Sequence, residues 1–319
     1  MKALAALALV PLAIACSRGP QLRMPEVDDA VLSEQQGVLG AEVLRNHVAM
    51  QIELLDVGLR LRRGAVSLCE DQLSPILGIL AWRRNDLKLR QLKELGEREL
   101  GLGDRPRVLY VHPEFAGARA GVRQGDLVRS LNGARLARSE DLWKQVRDAA
   151  PGPLALEIER EGRTELLQVE REAGCRQRVL LSESDQIAAG VTRDRDIVVS
   201  QAMVHFAQGS DELAGAIAHE MAHTILDFEQ DKPEADDYRD RPLEWHRLRL
   251  QRELDADLLA LRILAAADYE GAAHVALTER LGVEHPWTLM TGFPASRDFT
   301  DHPFVPARLL AMRDALAAD

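Results

Sequence analysis

The chain has 319 residues, 46% hydrophobic and 29% charged, a balance that excludes a disordered, collagen-like or disulfide-dense small protein. Its net charge of −11 argues against non-specific nucleic-acid binding, which depends on Lys and Arg neutralising phosphates. Aromatics at 4% leave no base-stacking platform, so no nucleic-acid partner is expected.

The chain opens with Lys2 and an apolar run from Ala3 to Ala15. Thirteen residues are too few to span a bilayer, which takes about 20, but they suit the core of a signal peptide. The run ends Leu12-Ala13-Ile14-Ala15-Cys16, which resembles a bacterial lipobox. That resemblance implies a signal peptide over 1–15, lipidation at Cys16 and a mature chain held on the periplasmic side of a bacterial envelope, outer membrane by preference. An ordinary secretory signal is the alternative. Removing Lys2 takes the balance to 39 − 51 = −12. No later segment is apolar enough to cross a membrane, so attachment is through lipid alone. In that oxidising compartment Cys69 and Cys175 form an even pair, and a disulfide is expected, with two buried thiols as the alternative.

Residues 16–33, with Pro20 and Pro25 and little periodicity, read as a tether. Val43, Leu44, His47, Val48, Ile52, Leu55 and Leu59 recur at helical spacing, predicting a long helix from Glu34 to Arg63 that stops at Gly64. Residues 34–75 are therefore the helical start of one domain. Residues 76–173 have a different character. Strands are predicted at 108–111, 154–158 and 166–170, a short helix at 140–149, and a first strand at 76–80. The run Ala120-Gly121-Val122, then Gly125-Asp126, then Asn132-Gly133, resembles a PDZ domain of the bacterial protease type. The charged stretch from Arg83 to Glu99 departs from that pattern. Residues 174–319 resume an α+β pattern, with a strand at 197–199 and helices at 212–228, 243–266 and 306–317.

The chemistry lies in His219-Glu220-Met221-Ala222-His223. Histidines at i and i+4 share a helical face and can grip one metal ion, while the glutamate between them can take a proton from water. Zinc suits this set, because it lowers the pKa of water to about 7 and keeps an open position for substrate. A third ligand is needed. Glu253 is the best candidate, with Asp257 one turn further on the same face and able to hold a ligand histidine by its free N–H. A solvated Glu253 beside Arg249 is the alternative.

His219-Glu220-x-x-His223 followed by Glu253-x-x-Ala256-Asp257 resembles metallopeptidase family forty-eight, gluzincins that include HtpX and the CAAX prenyl proteases. The resemblance covers about 178–319 and the helix near 41–63. It implies an α+β fold: a mainly helical zincin-type peptidase domain with a small sheet, carrying the PDZ-like β-rich domain as an insertion after the first helix. It further implies one zinc ion on His219, His223 and Glu253, with Glu220 as general base. Ala188 and Ala189 fall where the family has a substrate-lining strand, although the family's asparagine is missing. His302, in Thr300-Asp301-His302-Pro303, falls where the family places a histidine near the metal, either to steady the oxyanion or to cap the zinc. The other histidines, His274 among them, read as ordinary core or surface residues. The implied activity is a zinc endopeptidase acting on envelope proteins. A protein-binding chaperone or assembly adaptor with little proteolysis is the second reading.

Overall fold

The computed structural model describes residues 27–69, 72–136, 138–149, 152–226, 240–286, 290 and 306–318. The chain forms two compact units, Met1–Leu39 and Gly40–Asp319. The described part of the first begins helix α1, Asp29–Gly64. This helix starts five residues before Glu34, inside the span assigned to the tether: Asp28 accepts a hydrogen bond from the Ala30 N–H and caps it there. Everything below concerns Gly40–Asp319.

α1 ends at Gly64, and Cys69 follows a single 3-10 turn. Strand β1 (Leu73–Ile76) then pairs antiparallel with β8 (Glu172–Cys175), Leu73 lying opposite Cys175. A Cys69–Cys175 disulfide closes the same neck, with Cα atoms 5.8 Å apart. The predicted strand over 76–80 is in fact broken. Gly78 takes φ +72 and turns the chain from β1 into β2 (Ile79–Trp82). A Cβ at Gly78 would collide with Phe115, so only glycine serves this turn.

Between the neck strands lies a six-stranded antiparallel sheet, in the order β2, β3 (Arg107–Val111), β4 (Leu127–Leu131), β6 (Leu154–Arg160), β7 (Arg163–Val169), with β5 (Ala134–Arg135) pairing on β4. Helices α3 (Ala116–Arg119) and α4 (Ser139–Asp148) accompany it. The residues singled out by the sequence have local jobs here. Asn132 and Gly133 both have positive φ and make the tight turn between β4 and β5. Asp126, 1% exposed, accepts from the Arg123 N–H and pairs with Arg160 at 2.7 Å. The charged stretch from Arg83 to Glu99 is largely helix α2, Arg90–Leu100. Its Leu95 packs with Leu44 of α1 and with Leu80 and Leu109 of the sheet, so the apolar minority of the stretch decides its structure.

The rest is mainly helical. A three-stranded sheet has the order β10 (Ala189–Val191), β11 (Ile197–Ser200), β9 (Val179–Ser182), with β10 antiparallel at one edge. After α5 (Gln201–Phe206) come α6 (Ser210–Ile225), α7 (Pro242–Ala266), α8 (Gly271–Glu284) and α9 (Pro306–Ala318). No helix was predicted over 271–284, and α8 fills that gap. Its buried positions His274, Val275, Leu277 and Thr278 follow helical spacing, but only two are strongly apolar, which mutes the pattern. α6 is the central helix, buried from Glu212 to Thr224 and packed through Leu213, Ile217 and Met221 against Ala256, Ala260 and Ile263 of α7. Among the described residues, no helix is long and apolar enough to cross a membrane.

Candidate metal centre

His219 and His223 lie one turn apart on α6, and their Nε2 atoms are 3.1 Å apart. Glu253 reaches them from α7. Its carboxylate oxygens are 3.3 Å from His219 Nε2 and 3.4 Å from His223 Nε2. The two helices pack closely because their facing residues are small, with Ala218 and Ala222 on one and Ala256 and Ala260 on the other. That closeness brings groups 34 positions apart in sequence within reach of one metal ion.

The set fits zinc. Bonds of about 2.0–2.1 Å at tetrahedral angles put neighbouring ligand atoms about 3.3–3.4 Å apart. The two Nε2 atoms are 3.1 Å apart, and each lies close to that spacing from one Glu253 oxygen, His219 at 3.3 Å from Oε2 and His223 at 3.4 Å from Oε1. The charge balance fits as well. Glu220, Glu253 and Asp257 are all buried, and Arg308 is the buried cation among them. Three carboxylates and one guanidinium leave a balance of −2, which a divalent cation cancels. Burial alone would lower the pKa of His219, yet contacts with Asp257 and Glu253 outweigh it and push the group up to about 10. This cage holds positive charge.

Asp257 is the hub behind the ligands. Its Oδ1 lies 2.9 Å from His219 Nδ1, on the ring edge away from Glu253. A carboxylate at that edge favours a proton on Nδ1, so that Nε2 is the nitrogen to give up its proton to a metal. Arg308, on α9, donates to both Asp257 oxygens, at 2.6 Å from Nε and 2.7 Å from Nη2. Its Nη1 lies 3.0 Å from Glu253 Oε2. Burial would raise the Asp257 pKa, but Arg308, His219 and His274 hold it well below the usual carboxylate range. Burial would likewise lower the Arg308 guanidinium, and Asp257 and Glu253 hold it above its ordinary value instead.

His274 corrects the sequence reading. It is no ordinary core histidine: its Nε2 lies 3.2 Å from Asp257 Oδ1, and it is 3% exposed. Burial lowers its pKa, which keeps it neutral, so it offers Asp257 a single N–H. Glycine at 215 makes this possible. A Cβ there would meet His274 Cβ at 2.9 Å and Cα at 3.0 Å, so α8 could not approach α6 as closely. The tie of Arg308 to Asp257 and Glu253 likewise depends on tertiary structure.

The remaining candidates fall as follows. Glu220 is 4% exposed and lies on α6 between the two histidines. Ala189 opens β10, an edge strand packed beside α6, and Ala188 precedes it, donating to Ser200 Oγ at 3.1 Å and accepting from the Ser200 N–H at 2.9 Å. Cys16, the 1–15 segment and His302 lie outside the described residues.

No protein-family model matches the chain, and no curated protein matches it. Among solved structures it is similar to the HtrA3 PDZ domain bound to a phage-derived ligand, at 24% identity, TM-score 0.25, over 32% of this chain and 88% of that one. It is also similar to the HtrA-type protease AlgW with a decapeptide, at 23% identity and TM-score 0.26, over 32% of this chain and 30% of that one. A variant of AlgW with a decapeptide gives 21% identity and TM-score 0.27, over 34% of this chain and 32% of that one. The chain spans about a third of the length of the AlgW chains it matches.

Proposed function

We propose that the chain is a zinc-dependent endopeptidase of the bacterial envelope, of the family forty-eight type, lipid-anchored through Cys16 and carrying a PDZ-like module. The observation that carries this reading is the triangle of His219, His223 and Glu253, with Glu220 on the same helix and Asp257 behind His219. These three ligands would hold a zinc ion, which supplies Lewis acidity toward the scissile carbonyl and makes water acidic enough to attack at neutral pH. Glu220 takes the proton of the attacking water on a carboxylate oxygen and returns it to the leaving amine nitrogen. Asp257 keeps His219 in its Nδ1–H form. Edge strand β10 offers main-chain groups along which an extended substrate could lie as a further strand.

A chaperone or adaptor remains the second reading, favoured by a separate sheet whose outer strand β2 pairs on one side only among the described residues. Metal analysis combined with casein degradation, for wild type and Glu220→Gln, separates the two. Peptidase function requires about one zinc per chain in both proteins and degradation by wild type alone. Equal degradation by both would refute Glu220 as base. Full zinc with no degradation by either would favour the adaptor.

A further inference from the structure

A second buried charge lies away from the metal centre. Arg62 is on the inward face of α1, in line with Gly58 and Ala65, and is 5% exposed. Two of its nitrogens bond neutral oxygens: Nε donates to the Cys175 carbonyl at 2.7 Å, and Nη2 to the Ser74 hydroxyl at 3.3 Å. Among the described residues, Nη1 has no hydrogen-bond partner and no carboxylate lies in ion-pair range of the guanidinium. Neutral acceptors satisfy donors but leave the charge itself uncompensated, and a buried charge is costly unless it is paired. Arg308, equally buried, has two carboxylates against it. Burial lowers the Arg62 pKa to about 10, against the more distant pull of Asp196. Asp196 itself is already engaged by Arg178.

Arg62 forms part of the wall of a small cavity at the neck. The cavity is bounded by Ser74 of β1, by Trp143 and Val146 of α4, and by charged groups from three parts of the chain. Four arginines border it, Arg62, Arg147, Arg176 and Arg178, and two acids, Asp194 and Asp196. Arg147 also pairs with Asp148 at 3.1 Å. Of these groups Arg62 is the buried cation without a carboxylate in ion-pair range among the described residues, while Asp196 is taken by Arg178. The cavity has a volume of about 10 Å³. That is room for a single atom-sized occupant, too little for a carboxylate with a chain attached.

The geometry points to a binding site for one monatomic anion of halide size, held by Arg62 where the inserted sheet joins the helical half. Chloride is the ordinary ligand of that class. The anion supplies the missing counter-charge. It sits between α1, β1 and α4, so its occupancy stiffens the junction that the disulfide also closes. The site is independent of the peptidase reading and survives its failure.

The test is thermal unfolding of the purified chain at constant ionic strength, with sodium chloride replaced stepwise by sodium gluconate. Wild type should gain melting temperature with chloride until the effect saturates, and bromide should substitute for chloride. Arg62→Met keeps much of the side-chain volume and removes the charge, so its melting temperature should not depend on the choice of anion. Crystals of wild type grown in bromide give a second readout, independent of whether that variant folds: one anomalous peak beside the Arg62 guanidinium. Equal melting in chloride and gluconate, with no bromide beside Arg62, would overturn the proposal and make water the occupant. A bromide peak seen only at molar salt, with flat melting curves, would mean an adventitious ion only and would overturn it as well.

Discussion

Replacing Arg308 with methionine should weaken the metal-free protein far more than the zinc-loaded one. The guanidinium donates to both oxygens of Asp257, at 2.6 and 2.7 Å, and lies 3.0 Å from Glu253. Methionine fills similar space but leaves Glu220, Glu253 and Asp257 clustered in a buried site without the guanidinium, with His219 as the remaining positive group. Removing one partner of a buried ion pair costs about 3–5 kcal/mol, because the other charge is stranded. Whole-domain stability is only about 5–15 kcal/mol, so the chelated variant should unfold at much lower denaturant. On the proposed function zinc would bind the folded state and offset the same carboxylates. At a thousandfold excess over its dissociation constant it adds about 4 kcal/mol to either protein, and the gap narrows by as much as it binds the variant's uncompensated carboxylates more tightly. Guanidinium unfolding followed by circular dichroism, in EDTA and again in zinc, measures both quantities. Adding Asp257→Asn to Arg308→Met should recover part of the loss, since it removes one stranded charge. If Arg308→Met in EDTA stayed within about 0.5 kcal/mol of wild type, the electrostatic account of the cage would be wrong.

Two further outcomes are expected. Reducing the Cys69–Cys175 bridge, which closes a loop with a sequence separation of 106, should cost about 4–5 kcal/mol on the chain-entropy argument; calorimetry with and without reductant checks it, and an unchanged transition would deny the bridge a structural role. Gly215→Val should lose about 1–3 kcal/mol, because its side chain meets His274 where even a Cβ comes within 2.9 Å, and should surrender zinc faster to a chelator; wild-type zinc retention would show that the seating of α8 does not matter to the metal.

The candidate ligand cluster was legible because its signal is local. His219 and His223 are one turn apart on a single apolar helix, and Glu253 and Asp257 repeat that spacing on a second. The strands and the Asn132-Gly133 turn were legible for the same reason. What stayed hidden depends on which helices pack together. His274 has no second ligand at helical spacing on α8, and its role exists only because α8 packs onto α6 at Gly215 and so reaches Asp257 of α7. Arg62 left a trace that could have been read. An arginine in line with Gly58 and Ala65 on an otherwise apolar face is out of place unless something receives its charge. The break at Gly78 was missed because Ile76 to Leu80 reads as one continuous apolar run, and only the positive φ demanded by Phe115 interrupts it.

The placement of Arg308 also orders events during synthesis. The ribosome makes His219, Glu220, His223, Glu253, Asp257 and His274 before it makes the arginine that balances their charge. A nascent chain therefore carries a cage of unopposed carboxylates until α9 emerges and docks. Until then the carboxylates repel one another and oppose the apolar gain of α6 closing on α7. The cluster is completed late and from a distance, when α9 brings Arg308 against Glu253 and Asp257.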